Sequence, residues 1–254
     1  MNRDAFPDEA LMAAIRISYQ PIVRLADLRT AHVEVLARVM TADGTLDGPE
    51  AVLEAMDGTE RSMRLTGSIM QRALAEYDAL HFATHNLNLA LNLPLDAMLH
   101  PGLMDIIERV RRASGVAVRN ISFELTERHP VHDLSAARAA ISDLSAAGYG
   151  LALDDITPQM TNLNALMAMP IRAIKLDRSV VVSARAPMRE FIRDVSARAT
   201  ANGQDIVAEG IETSAMGNQM RNLGVTHGQG FLFCPPLPAA ALREYLRAAG
   251  GHSA

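Results

Sequence analysis

The feature that most constrains this chain is an alternation. Short β-rich runs separated by segments of helical period recur along it eight times. The first four runs are 17–23 (ISYQPIV), 33–39 (VEVLARV), 87–93 (LNLALNL) and 121–127 (ISFELTE). The others are 150–156 (GLALDDI), 171–177 (IRAIKLD), 205–211 (DIVAEGI) and 227–233 (HGQGFLF). Strands that alternate with helices imply a largely parallel sheet, and eight of them favour a closed barrel over an open, doubly wound sheet. The helical segments carry matching punctuation. The segment 134–148 ends at Gly148, where a helix C-terminus prefers glycine, and 187–203 opens at Pro187 and closes at Gly203. The length, 254 residues, is that of a (β/α)₈ barrel. No linker or change of composition divides the chain, so one domain over 1–254 is expected, with its core at about 16–246. The stretch 41–64 is the least regular and is expected to wrap the surface.

Composition removes several classes of function. A net charge of −5 and 4% aromatic residues with no Trp argue against binding nucleic acid polymers, which needs clustered cations and stacking rings. The single cysteine, Cys234, cannot form an internal disulfide, which suits a reducing cytosol. The first twenty residues lack the apolar core of a signal peptide, and no uninterrupted apolar run approaches a membrane span. A cytoplasmic location is therefore expected.

In a barrel of this kind chemistry collects at the C-terminal ends of the strands. Those ends carry Glu34 and Arg38, then Asn92, then Glu124 and Glu127. Asp154 and Asp155 follow, then Lys175 and Asp177, Glu209 and Glu212, and finally Gln229. Each has a bland reading: Asn92 as a turn residue, Glu127 as a partner of the next helix dipole, Lys175 as a structural cation, Gln229 as a loop residue. The 14 methionines read as core filler. The set is harder to dismiss, because Glu34, Glu124, Asp154, Asp155 and Glu209 on one mouth would repel one another without a cation. Carboxylate and amide oxygens suit a hard divalent ion, Mg²⁺ or Mn²⁺, over zinc. Of the eight histidines only His227 is near a matching strand end.

These residues resemble the EAL domain family, which hydrolyses the bacterial second messenger cyclic di-GMP. The resemblance runs from SYQPIV at 18–23 to GQGFLFCPPLP at 228–238. It is carried by EVLAR at 34–38, LNLP at 91–94, ELTE at 124–127, IKLDRSVV at 174–181 and AEGIET at 208–213. In EVLAR, Val35 replaces the alanine of the family signature. The resemblance implies a modified barrel with one antiparallel strand, where alternation alone predicts parallel strands throughout. The gap between 17–23 and 33–39 is consistent with this, being too short for a helical crossover.

The resemblance further implies two cations. The first would be held by Glu34, Asn92, Glu124 and Asp154, the second by Asp154, Asp155 and Glu209, with Asp154 as the bridge. Lys175 would orient the attacking water, and Glu34, Asp155, Lys175 and Glu209 form the implied catalytic set. Gln20, Leu36, Arg38 and Gln229 would bind substrate, Arg38 at a phosphate and Gln229 also through water to the second site. Glu127 would brace the loop after the fifth strand. Cyclic di-GMP is the implied substrate and linear pGpG the product; the family pattern allows a homodimer and a regulatory protein partner.

One departure stands out. The family's Asp-Asp-Phe-Gly-Thr-Gly is DDITPQ here, at 154–159. Both aspartates remain, but Pro158 and Gln159 deny the backbone freedom that glycine gives. A second reading follows from that loop: a receptor or interaction module that captures cyclic di-GMP without useful turnover. A barrel metallohydrolase for another phosphodiester is a third, weaker one.

Overall fold

The computed structural model describes residues 13–40, 45–47, 59–77, 87–126, 134–183 and 185–250. Nine strands are present among them: β1 (Ile15–Arg24), β2 (Thr30–Met40), β3 (Leu46–Asp47), β4 (Asn88–Pro94), β5 (Ile121–Thr126), β6 (Gly150–Ile156), β7 (Ala173–Leu176), β8 (Asp205–Ala208) and β9 (His227–Gly228). The helices are α1 (Thr59–Tyr77), α2 (Leu95–Met98), α3 (Leu103–Ser114), α4 (Leu134–Ala146), α5 (Leu163–Met167), α6 (Arg178–Val181), α7 (Ala186–Ala201), α8 (Ser214–Asn222) and α9 (Ala239–Gly250).

From β2 through β4 to β9 every neighbouring pair is parallel, and β1 closes the ring by pairing antiparallel with both β2 and β9. The fold is a closed eight-stranded α/β barrel with one reversed strand, and β3 is a short antiparallel extension beside the end of β2. Purely parallel alternation is thus corrected at β1. The chain returns from β1 to β2 through a tight turn in which Leu28 takes a left-handed φ of 58° and the Arg24 amide reports to the Arg29 carbonyl. So short a connection can make only an antiparallel pair.

Period-two alternation explains which face of each strand goes where. On β4, Leu89, Leu91 and Leu93 are buried outward against the helices, while Asn88, Ala90 and Asn92 face the barrel axis with the other site residues. The outward set continues with Phe123, Leu125, Leu151, Leu153, Ile174 and Leu176, so the main core lies between sheet and helices. Helix ends follow the sequence punctuation: Gly115 (φ 72°) and Gly203 (φ 69°) adopt the left-handed conformation just beyond α3 and α7.

Two boundaries differ from the sequence reading. The run 227–233 is strand only at His227–Gly228, because Gly230, at φ 151°, turns the chain across Ile211. A side chain there would lie 2.2 Å from the Ile211 carbonyl oxygen. Of the stretch 41–64, most lies outside the described residues, but its end is not irregular. Residues from Thr59 onward belong to α1, which buries Met63, Leu65 and Met70. No helix among the described residues is long and apolar enough to cross a membrane.

Candidate active site

At the C-terminal mouth of the barrel one cation gathers the acids. Lys175, on β7, is 1% exposed, and its Nζ lies 2.7 Å from Glu209, 2.9 Å from Glu124, 3.0 Å from Asp154 and 3.6 Å from Glu34. Four carboxylates around one ammonium is a strained arrangement electrostatically. Burial pulls the Lys175 ammonium down, but the charges of Asp154, Glu124, Glu209 and Glu34 outweigh it and hold it well above its ordinary value.

The carboxylates answer differently according to their partners. Burial works to raise Glu34, but Lys175 and hydrogen bonds from Gln229 and Asn92 outweigh it, so Glu34 lies below the usual range. Gln229 Nε2 donates to Glu34 Oε2 at 2.7 Å, and Asn92 Nδ2 donates to Glu34 Oε1 at 3.3 Å. Burial and the neighbouring Glu34 charge push Glu124 well above the carboxylate range. Glu209 is pushed up to about 8 by burial, against the pull of Lys175. An acid held in that state keeps a proton that a cation of higher charge would displace.

Asp154 and Asp155 explain themselves through a bulge. In a regular strand two adjacent side chains face opposite sides. Here β6 carries one more residue than β7 between the pairs Leu153–Ile174 and Ile156–Leu176, and Asp155 takes a left-handed φ of 55°. Both carboxylates therefore serve one mouth, and oxygens of Asp154, Asp155 and Glu209 lie within 4.8 Å of one another. The Asp155 amide donates to Asp154 Oδ1 at 3.0 Å. Partial loss of solvation, with Asp154 beside it, pushes the Asp155 carboxyl up to about 6. These three acids, all hard oxygen donors, fit a divalent cation such as Mg²⁺ or Mn²⁺.

The remaining positions frame the mouth. Gln20 faces Glu34 across the β1–β2 pair, accepts from Gln229 Nε2 at 3.0 Å and donates to the Cys234 carbonyl at 3.0 Å. That last anchor is a backbone group and has no signature in sequence. Leu36 and Arg38 follow Glu34 on the same face of β2, both half-buried, and Arg38 Nη1 donates to the Ala37 carbonyl at 2.9 Å. Glu127 lies outside the described residues. Asp177 and Glu212 take structural parts: Asp177 caps α6 through the Ser179 amide, and Glu212 pairs with Arg178 at 2.6 Å. His227 stands at the opposite end of the barrel beside His32, ring centroids 5.8 Å apart. The altered loop is a tight turn in which the Met160 amide donates to the Thr157 carbonyl at 3.1 Å, with Pro158 at the position that favours its fixed φ.

A family model described as the EAL domain matches residues 8–236. Cyclic di-GMP phosphodiesterase NbdA of Pseudomonas aeruginosa is 29% identical over 249 residues, 95% of this chain and 32% of that protein. This chain therefore spans about a third of that relative's length. The EAL enzyme Bd1971 in its cAMP- and cyclic-di-GMP-bound form superposes with a TM-score of 0.86 at 23% identity, over 94% of this chain and 66% of that one. PaMucR phosphodiesterase in complex with c-di-GMP superposes with a TM-score of 0.83 at 25% identity, over 91% of this chain and 94% of that one.

Proposed function

As the chain belongs to the EAL domain family, we propose that it hydrolyses one phosphodiester bond of cyclic di-GMP and releases linear pGpG. The observation that carries this reading is the joining of Asp154, Asp155 and Glu209 beside a buried lysine. Once fully ionised, the five carboxylates set against the single ammonium of Lys175 carry four negative charges in excess, the charge of two divalent cations. Glu34, Asn92, Glu124 and Asp154 would hold one of them, and Asp154, Asp155 and Glu209 the other. Mg²⁺ or Mn²⁺ so placed supplies an activated water and neutralises charge on the phosphodiester.

This chain's own side chains do the rest. Lys175 orients and polarises the attacking water through a hydrogen bond from its ammonium and holds the surrounding acids together. Gln229, pinned between Gln20 and Glu34, gives the mouth a rigid polar wall. Arg38 meets a substrate phosphate, and Leu36 and Gln20 line the approach. The test is turnover of cyclic di-GMP with Mg²⁺ or Mn²⁺, following pGpG by chromatography. Asp155→Asn and Glu34→Ala are each expected to lower turnover by about 100-fold or more, the several kcal/mol that a metal centre supplies. Wild-type turnover in either variant would refute the assignment.

The Pro158 turn favours a second reading, a receptor that binds cyclic di-GMP without useful turnover. It predicts saturable binding in Ca²⁺ with negligible pGpG. The replacement I156F/T157G/P158T/Q159G would then raise turnover, and an unchanged rate would remove the loop as the explanation.

A further inference from the structure

We propose that the barrel carries a second ligand site at its N-terminal end, for a small organic acid about one aromatic ring in size. The proposal rests on the packing of the barrel axis and is independent of the phosphodiesterase reading. In barrels of this type the interior is usually filled by layers of bulky branched residues. Here the axis-facing positions that precede the site residues on β4 to β7 are Ala90, Ser122, Gly150, Ala152 and Ala173. Four consecutive strands thus place groups no larger than a serine side chain where large ones are usual.

The space they leave is a cavity of about 190 Å³, walled also by Ile22 and Val207 and roofed by Glu124 and Lys175. A cavity of about 150 Å³ lined by apolar side chains accepts benzene. This one is larger, mostly apolar along its walls, and open at the face opposite the acidic mouth. Its entrance carries Arg119 and Arg172, both exposed, with Asn88 and His32 beside them. Neither arginine forms an ion pair among the described residues. The entrance also carries one acid, Asp205, which lies 3.3 Å from Thr226 Oγ1 and 3.6 Å from His227 Nδ1, so the two guanidinium groups still leave the entrance net positive.

A ring in the cavity and a carboxylate at the entrance satisfy both halves. The ring covers Ala90, Ala152 and Ala173 and displaces water from apolar wall. The carboxylate takes charge-assisted hydrogen bonds from the two guanidinium groups. An occupant would share Lys175 and Glu124 as its ceiling with the acidic site above.

The probe is 4-fluorobenzoate, followed by ¹⁹F NMR on the full chain without divalent cations, so that no anion is recruited to the acidic mouth. Fluorobenzene supplies the ring without the acid, and inorganic phosphate the anion without the ring. The expected result is saturable 4-fluorobenzoate binding, about tenfold or more weaker in R119A/R172A, the loss of at least one charge-assisted hydrogen bond. Ala152→Leu, which fills the cavity, is expected to abolish binding, and the smaller Ala90→Val to weaken it if Ala152→Leu does not fold. Fluorobenzene is expected to bind more weakly than 4-fluorobenzoate, and phosphate not to compete. No saturable binding of 4-fluorobenzoate up to about 10 mM would overturn the proposal. So would binding that survives the arginine and cavity replacements, or phosphate competing as well as the arene acid.

Discussion

Three residues do work at the mouth that their side chains alone do not reveal. Asp155 is a candidate ligand and also the left-handed residue of the β6 bulge (φ 55°). Those two parts separate by substitution. Asp155→Gly and Asp155→Ala both remove the carboxylate, but only glycine accepts that backbone freely. Urea unfolding is expected to find the glycine variant more stable than the alanine variant by about 1 kcal/mol, with both equally inactive. Lys175 holds four acids together, three of them buried, so Lys175→Met is expected to cost about 3–5 kcal/mol when unfolding is followed in chelator. A variant as stable as the parent would show that the acids relax by taking up protons instead. Gly230 is required by contact as well as by φ. Gly230→Ala would drive a methyl group into the Ile211 backbone and cost about 3 kcal/mol, taking Gln229 out of place with it.

Between elements, the clearest titrating tie joins α3 to the start of β6. The Tyr149 hydroxyl donates to Glu108 at 2.5 Å, and Arg111 and Arg112 pair with the same carboxylate at 2.8 Å and 3.1 Å. Hydrogen bonds from Arg111 and then Tyr149 hold Glu108 down to about 2. A carboxyl lowered on folding contributes stability that is full above its ordinary value and is lost as pH falls through the folded one. The stability gap between the parent and Glu108→Gln is therefore expected to be constant from pH 7 to about pH 5. It should then close between about pH 4.5 and 2, as read by urea titrations at each pH. Much of this architecture was legible in advance. LNLALNL announces a strand with leucines to the core and Asn92 to the axis, and the glutamates of ELTE and AEGIET stand on such strands. The reversed direction of β1 was not legible in the alternation, which carries no direction; the family resemblance implied it and the short step to 33 agreed with it. The bulge at Asp155 was hidden as well, since GLALDDI reads as a plain strand and the extra residue exists only relative to β7. Gly230 likewise looks like strand until Ile211 crosses it.

For the whole molecule, the crowding of acids at the mouth, held either as like charges or as buried protonated carboxyls, is a standing cost of the cation-free state. Mg²⁺ at about a hundred times its dissociation constant would add about 2.7 kcal/mol. In a domain of this size that corresponds to a rise in Tm of about 5–10 °C. Scanning calorimetry with Mg²⁺ and then with EDTA is expected to show the rise and its reversal, and Asp155→Asn to lose most of it. A Tm indifferent to both would remove the divalent site. The way the ring closes has a further consequence, in time. Val23 meets Gly228 and Arg24 meets His227, while Gln20 reaches Gln229 and Cys234, contacts between segments about 200 residues apart. At a synthesis rate of about 5–20 residues per second, a growing chain waits about 10–40 s between making β1 and making its second partner. Through that interval the sheet is an open ribbon whose β1 edge lacks its second neighbour. The last of the described barrel strands to be made, β9, is also the one that brings Gln229 to Glu34. An interrupted chain therefore carries most of the acids but no finished mouth, and assembly of the barrel and completion of the site become the same late event.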